Sequence, residues 1–202
     1  MKKYMNLIGK KAKKAITNII DTKKKNKVLK KYLNLIEKEK NSIFNENKKD
    51  IKFAINKKLK DNLVQRLTLD SKKLNSIKQS IKDIIKLKDP VDRVLEKWKR
   101  PNNLLIKKVS IPIGIIGVIY ESRPNVTSDV SCLCFKSGNA VILKGGSEAV
   151  NTNKILVKLF RAALRANKVN ENYVQFIDSK DRKLVNYMLS KMNKYINVII
   201  PR

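Results

Sequence analysis

Short apolar runs alternate with amphipathic stretches from residue 104 to residue 200, and this alternation constrains the fold more than any other feature of the sequence. Residues 104–109 read as a strand, and a second, buried strand lies within 111–120. A helix is expected over about 126–136, then a strand at 140–143 and a helix from about 148 to 166. Residues 174–177, 181–192 and 197–200 read as strand, helix and strand. Continuously apolar strands have both faces covered, and strands joined by helices run parallel through right-handed crossovers. The expected class is therefore α/β: a Rossmann-like parallel sheet with helices on both faces.

The part upstream has a different texture. Before Asp89 there is one glycine, Gly9, and no proline, whereas the other five glycines and four of the five prolines fall between Pro90 and Gly146. Such a distribution predicts an N-terminal helical region followed by tight turns. Apolar residues recur at helical spacing in three places: Ile8, Ala12, Ala15 and Ile19; Leu29, Tyr32, Leu33 and Ile36; and Leu74, Ile77, Ile81 and Ile84. Asp70 or Ser71 can cap the third helix, Lys86 and Lys88 suit its C-terminal dipole, and Pro90 ends it. The expected organisation is a helical region over 1–103 that packs on a Rossmann-like domain over 104–202.

Composition narrows the chemistry. The chain carries 47 Lys and Arg against 17 Asp and Glu, a formal net charge of +30 at pH 7. Clustered lysines can bind nucleic acid or an anionic membrane. Here the lysines are spread over helix faces, and aromatic residues, at 6%, form no stacking platform between basic runs. Solvated surface charge is the expected reading, with no nucleic-acid and no membrane partner. No run approaches the roughly 20 apolar residues of a membrane span. Met1-Lys-Lys-Tyr4 leads into an amphipathic helix, not an apolar signal segment, so a cytoplasmic protein is expected. There is no histidine, and the two cysteines, Cys132 and Cys134, are too few for a metal centre. They are expected to pack in the core as small apolar residues.

Two loops stand at strand ends, where such sheets bind ligands. In Glu121-Ser-Arg-Pro-Asn-Val-Thr127, the Asn125 amide can donate to a developing oxyanion and Arg123 can pair with a carboxylate or phosphate. An ordinary turn into a helix would look the same. In Lys144-Gly-Gly-Ser-Glu148, the lysine offers a cation to ribose hydroxyls or a 2′-phosphate, and the glycines permit close backbone approach. Ser147 can cap the next helix, whose N–H groups favour anions, and Glu148 favours free ribose hydroxyls. An ordinary glycine turn fits too, and neither the Gly-x-Gly-x-x-Gly fingerprint nor a P-loop is present. Asn125 and Lys144 are expected to face one cleft.

The run Pro112-Ile-Gly-Ile-Ile-Gly-Val-Ile-Tyr-Glu-Ser-Arg-Pro-Asn-Val-Thr127 resembles the signature of the γ-glutamyl phosphate reductases, in the aldehyde dehydrogenase superfamily. So does Cys134-Phe-Lys-Ser-Gly-Asn-Ala-Val-Ile-Leu-Lys-Gly-Gly-Ser-Glu-Ala149. Asp89-Pro-Val, Glu96-Lys-Trp-Lys-Arg-Pro-Asn102, Val174-Gln-Phe-Ile-Asp178, Asp181-Arg182 and Tyr195-Ile-Asn-Val-Ile-Ile-Pro-Arg202 extend the likeness over the whole chain in order. Asp92 stands where the family usually has glycine, a surface change expected to cost nothing.

The resemblance implies NADPH-dependent reduction of L-glutamate 5-phosphate to L-glutamate 5-semialdehyde and phosphate, a step of proline biosynthesis. In that family a cysteine thiolate displaces phosphate, and hydride then reduces the resulting thioester. By this likeness Lys144, Gly145, Gly146, Ser147 and Glu148 hold the NADPH cofactor. Asn125 stabilises the oxyanion, and Glu121, Ser122 and Arg123 lie on the substrate side. The family's nucleophile lies in a separate catalytic domain beyond the Ile-Ile-Pro-Arg stretch, so that domain is expected to be absent here. The start of the chain matches the reductase's own first helix, so no fusion partner is expected upstream. Association into a homo-oligomer is compatible with the likeness. The alternative is a catalytically inactive nucleotide-binding fragment or relic.

Overall fold

The computed structural model describes residues 1–121, 123–179 and 181–201. Five helices come first: α1 (Lys2–Ala15), α2 (Thr22–Lys38), α3 (Lys40–Asn56), α4 (Asp61–Leu67) and α5 (Ser71–Lys86). Their apolar stripes turn inward, as the spacing requires: Met5, Ile8, Ala12 and Ala15 on α1, Leu29, Tyr32 and Ile36 on α2, and all four expected residues on α5 are buried. Ile19 departs from the expected stripe. Helix α1 stops at Ala15, so Ile19 lies beyond it and is 77% exposed. Asp70, and not Ser71, caps α5: its carboxylate accepts from the Lys73 N–H at 2.7 Å.

A β-hairpin follows. Strand β1 (Val94–Lys99) pairs antiparallel with β2 (Leu105–Val109), placing Trp98 opposite Ile106. Residues 104–109 are thus extended as expected, yet they pair with β1 and stay outside the parallel sheet. No residue of β1 is buried, so its sequence carries no inward-facing alternation to announce it. Asp92 enters this hairpin with φ of +57°, and its N–H donates to the Ser110 carbonyl at 2.9 Å. A residue with a side chain is strained there where glycine is not, which corrects the expectation that the change costs nothing.

Four parallel strands build the main sheet: β3 (Ile115–Ile119), β4 (Ala140–Lys144), β5 (Val174–Phe176) and β6 (Val198–Pro201), in the spatial order β5-β4-β3-β6. Connecting them are α6 (Pro124–Lys136), α7 (Val150–Ala166) and α8 (Lys183–Lys191). Successive strand residues point to opposite faces, and all five residues of β4 are buried. Both faces of the sheet are therefore covered, which is the expected α/β architecture. One continuous core runs from Met5 to Ile196. At its centre Phe160 of α7 meets Tyr32 of α2 in a tilted pair and Phe135 of α6 edge to face, with ring centroids 4.7 and 5.8 Å apart. Cys132 and Cys134 lie inside this packing at 0% and 7% exposure. Among the described residues, no helix is long and apolar enough to cross a membrane.

Candidate functional site

Open parallel sheets bind ligands beyond the carboxyl ends of their strands, where the strand order reverses. Here the chain steps from β3 to β4 to β5 in one direction, then returns to place β6 on the other side of β3. The loops after β3 and β4 leave this end side by side. Ile119 and Lys144 are partners in register, and the Tyr120 N–H donates to the Lys144 carbonyl at 3.1 Å.

A cavity of about 630 Å³ opens there. Its floor holds all of Lys144, Gly145, Gly146, Ser147 and Glu148, joined by Tyr120 and Glu121 from the neighbouring loop. Leu59 and Leu63, before and within α4, form one wall, and Arg182, Val185 and Asn186 at α8 form another. Lys144 is buried at 6% exposure, and its Nζ donates to the Gly145 carbonyl at 2.8 Å. Burial lowers its affinity for a proton, an effect that the nearby Glu148 carboxylate partly offsets. The Ser147 hydroxyl donates to Glu148 at 3.1 Å.

The glycines of this loop answer to what lies beneath it. A Cβ on Gly145 would stand 2.5 Å from Asn153 Nδ2 and 3.2 Å from the Tyr120 ring. Those two residues belong to a buried relay: Thr127 donates to Asn153 Oδ1 at 2.7 Å, leaving its oxygen to accept from the Tyr120 hydroxyl at 2.6 Å. Burial, only partly offset by that hydrogen bond, raises the Tyr120 pKa, so the phenol stays a donor. A Cβ on Gly146 would collide with the Glu148 carboxylate.

The start of α7 is occupied from within the protein. Asp50 of α3, 2% exposed, accepts from the Asn151 and Thr152 N–H groups at 3.1 and 2.7 Å, and from Asn151 Nδ2 and Thr152 Oγ1 at 2.8 and 2.6 Å. Ser147 makes no cap there, and these N–H groups are not open to an anion, contrary to the sequence expectation. A carboxylate fits better than a hydroxyl because four donors converge on it. Next to it, Asn47 donates to the Leu67 carbonyl at 2.9 Å and to Thr152 Oγ1 at 3.1 Å, and accepts from the Leu69 N–H at 2.8 Å. This network fixes α4, and with it the cavity wall, to α3 and α7.

Arg123 and Asn125 line a second cavity of about 590 Å³, between α4, α5 and the start of α6. Asn125 is exposed on the first turn of α6, and its Nδ2 reaches Asp129 Oδ2 at 3.4 Å. Helix α4 stands between the two spaces, giving Leu63 to the first and Asn62, Gln65 and Arg66 to the second. So the two loops share one end of the sheet, but Asn125 and Lys144 do not line the same cavity, and Glu121 sits with Lys144, apart from Arg123. Ser122 lies outside the described residues. Sequence reasoning missed Leu59, Leu63, Arg66 and Asp129. Only Arg182 carried a signal, as part of a motif.

No family model matches the chain. It is 43% identical over 203 residues to the γ-glutamyl phosphate reductase of Sulfurihydrogenibium sp., covering 100% of this chain and 45% of that protein. It is 47% identical over 195 residues to that of Nitratiruptor sp., covering 96% and 47%. The crystal structure of γ-glutamyl phosphate reductase from Thermotoga maritima superposes with a TM-score of 0.93 at 38% identity, over 96% of this chain and 47% of that one. In sequence and fold alike, the chain matches the amino-terminal half of the γ-glutamyl phosphate reductases. It spans about half the length of the curated relatives it matches. The reductase from Saccharomyces cerevisiae gives a TM-score of 0.89 at 32% identity, over 97% of this chain and 50% of that one. A probable aldehyde dehydrogenase from Listeria monocytogenes shares the fold alone, at TM-score 0.72, 12% identity and 98% and 41% coverage. An engineered glycolyl-CoA reductase with bound NADP+ does so at 0.68, 14%, and 98% and 42%.

Proposed function

We propose that this chain is the cofactor-binding part of an NADPH-dependent reductase that converts L-glutamate 5-phosphate to L-glutamate 5-semialdehyde and phosphate in proline biosynthesis. One observation carries the reading: the five residues of the Lys144–Glu148 loop line a single cavity at the ligand-binding end of the sheet. In this reading residues 1–103 support a nucleotide-binding part at 104–202, the cysteine domain lies outside this chain, and the protein works in the cytoplasm. The donor set suits the cofactor. Lys144 presents a buried cation whose hydrogen bond goes to a backbone carbonyl, ready for a ribose hydroxyl or a 2′-phosphate. Glu148 accepts from a ribose hydroxyl, and Ser147 donates. Leu59, Leu63 and Val185 supply apolar walls. A bound reduced nicotinamide supplies hydride.

On the substrate side, Asn125 donates its amide to the oxygen that gains charge as the acyl carbon becomes tetrahedral. Arg123, in the same cavity as Asn125, and Ser122 bound the acyl phosphate, while Glu121 stands at the cofactor side of the loop. The attacking thiol comes from elsewhere, because this chain's two cysteines are both enclosed in the core. Burial pushes Cys134 up to about 12 and Cys132 well above its ordinary value. That observation also favours a second reading, in which the chain alone binds nucleotide without turnover.

Fluorescence titration of the chain with NADPH tests the proposal. Wild type is expected to bind saturably, with Lys144→Ala weakening affinity about tenfold or more, as for loss of a hydrogen bond to a charged group. Equal affinity in wild type and K144A would overturn it.

A further inference from the structure

The second cavity has a charge pattern that the nucleotide does not explain. Three cations line it, Arg66, Lys73 and Arg123, with a single carboxylate, Asp129. Lys73 is committed to the fold, since its Nζ donates to the Gln65 and Thr68 carbonyls and closes the end of α4. Neither guanidinium has a side-chain hydrogen bond or ion pair among the described residues. Asp129 is half-buried: Ser80 donates to one oxygen at 2.8 Å, while among the described residues the other receives only the long bond from Asn125. Leu69, Ile77 and Pro124 give the space an apolar lining that suits methylene groups.

Two unpaired planar cations and an under-used carboxylate around an apolar floor match a ligand with two anionic ends, one ammonium and a short alkyl spacer. We propose that this cavity selects the substrate by its amino-acid head: Arg66 binds the α-carboxylate, Asp129 accepts from the α-ammonium, and Arg123 faces the phosphate. Guanidinium forks bind planar or tetrahedral oxyanions in paired hydrogen bonds, which sets orientation as well as affinity. A carboxylate for the ammonium excludes dicarboxylates that lack the amino group. The assignment rests on the proposed acyl-phosphate activity and adds the residues that read the head group.

The test uses the whole chain and two stable probes, L-2-amino-5-phosphonopentanoate and its deamino counterpart 5-phosphonopentanoate, with affinity read by NMR titration. Arg66→Gln, an exposed position that leaves the core intact, is expected to weaken both probes about tenfold or more. Asp129→Asn is expected to weaken only the amino probe, because the deamino compound has nothing for the carboxylate to accept from. NADPH affinity, measured on the same samples, is expected to stay within about twofold, since one bond worth 1.4 kcal/mol already makes a tenfold difference. Unchanged amino-probe affinity in R66Q, or equal loss of both probes in D129N, would overturn the assignment. NADPH binding without probe binding refutes this inference alone, and probe binding without NADPH binding refutes the cofactor reading alone.

Discussion

Replacing Asp50 offers the sharpest test of how the site is held. In Asp50→Ala, four hydrogen bonds to one buried carboxylate vanish, and the Asn151 and Thr152 N–H groups at the start of α7 lose their acceptor. Hydrogen bonds to a charged group contribute about 1.5–3 kcal/mol each, but bonds sharing one acceptor are not additive. Loss of a helix cap alone costs about 0.5–2 kcal/mol, and each stranded buried donor about 1–3 kcal/mol. Removal of the carboxylate should also return its own desolvation cost, so a net loss of about 3–4 kcal/mol is expected. Urea unfolding followed by circular dichroism reads this directly. At a slope of about 2.5 kcal/mol/M the midpoint falls by about 1.2–1.6 M. Asp50→Asn keeps one acceptor oxygen but turns a donor toward the Thr152 N–H, so it should fall between wild type and the alanine variant. A shift below about 0.4 M in D50A, roughly 1 kcal/mol, would refute the view that this carboxylate caps α7.

NADPH binding should weaken as pH rises, with a midpoint below the ordinary lysine value of 10.5, because burial lowers the Lys144 pKa and an anionic ligand needs the ammonium form. The sign for stability is opposite: between the lowered and ordinary values the unfolded chain holds more protons, so this group's contribution grows with pH. A binding midpoint above 10.5 would contradict it. Asp92→Gly should stabilise the protein by about 0.5–1 kcal/mol, because the residue holds a positive φ of 57°. Scanning calorimetry should show a Tm gain of about 1–4 °C. Cys132 and Cys134 should resist iodoacetamide at pH 8 and react on unfolding in urea, as followed by intact mass. Their raised pKa values mean the unfolded chain loses thiol protons first, so stability falls as pH climbs from 9 toward 12. Rapid labelling of the native protein would contradict the buried assignment.

The sheet was readable because β3, β4 and β5 are buried nearly throughout: β3, and β4 as far as Leu143, are continuous apolar runs, and in β5 Val174 and Phe176 flank a buried Gln175. Helices α1, α2 and α5 announced themselves through apolar stripes. Helix α3 did not, since two of its four inward positions are Asn47 and Asp50, which hydrogen-bond where a stripe would show apolar residues. Strand β1 was hidden because nothing buries it. In the site, Lys144 to Glu148 could be placed from a strand end and a glycine pair. The partition by α4 could not, because its seven residues are set beside both loops through Asn47 of α3, which also bonds Thr152 of α7, 105 positions away in sequence.

Gly9 and Tyr195 touch so closely that a Cβ on Gly9 would enter the Tyr195 ring. The buried side of α1 also packs on β4 and β5, so it meets its partners only after most of the described residues have been made. At about 5–20 residues per second, a ribosome needs on the order of ten seconds or more between delivering Gly9 and Tyr195. Until β4 and β5 follow, the apolar flank of the first helix lacks the partners it packs on. The lysines on its other side, Lys3, Lys10, Lys13 and Lys14, are exposed and keep that face in water.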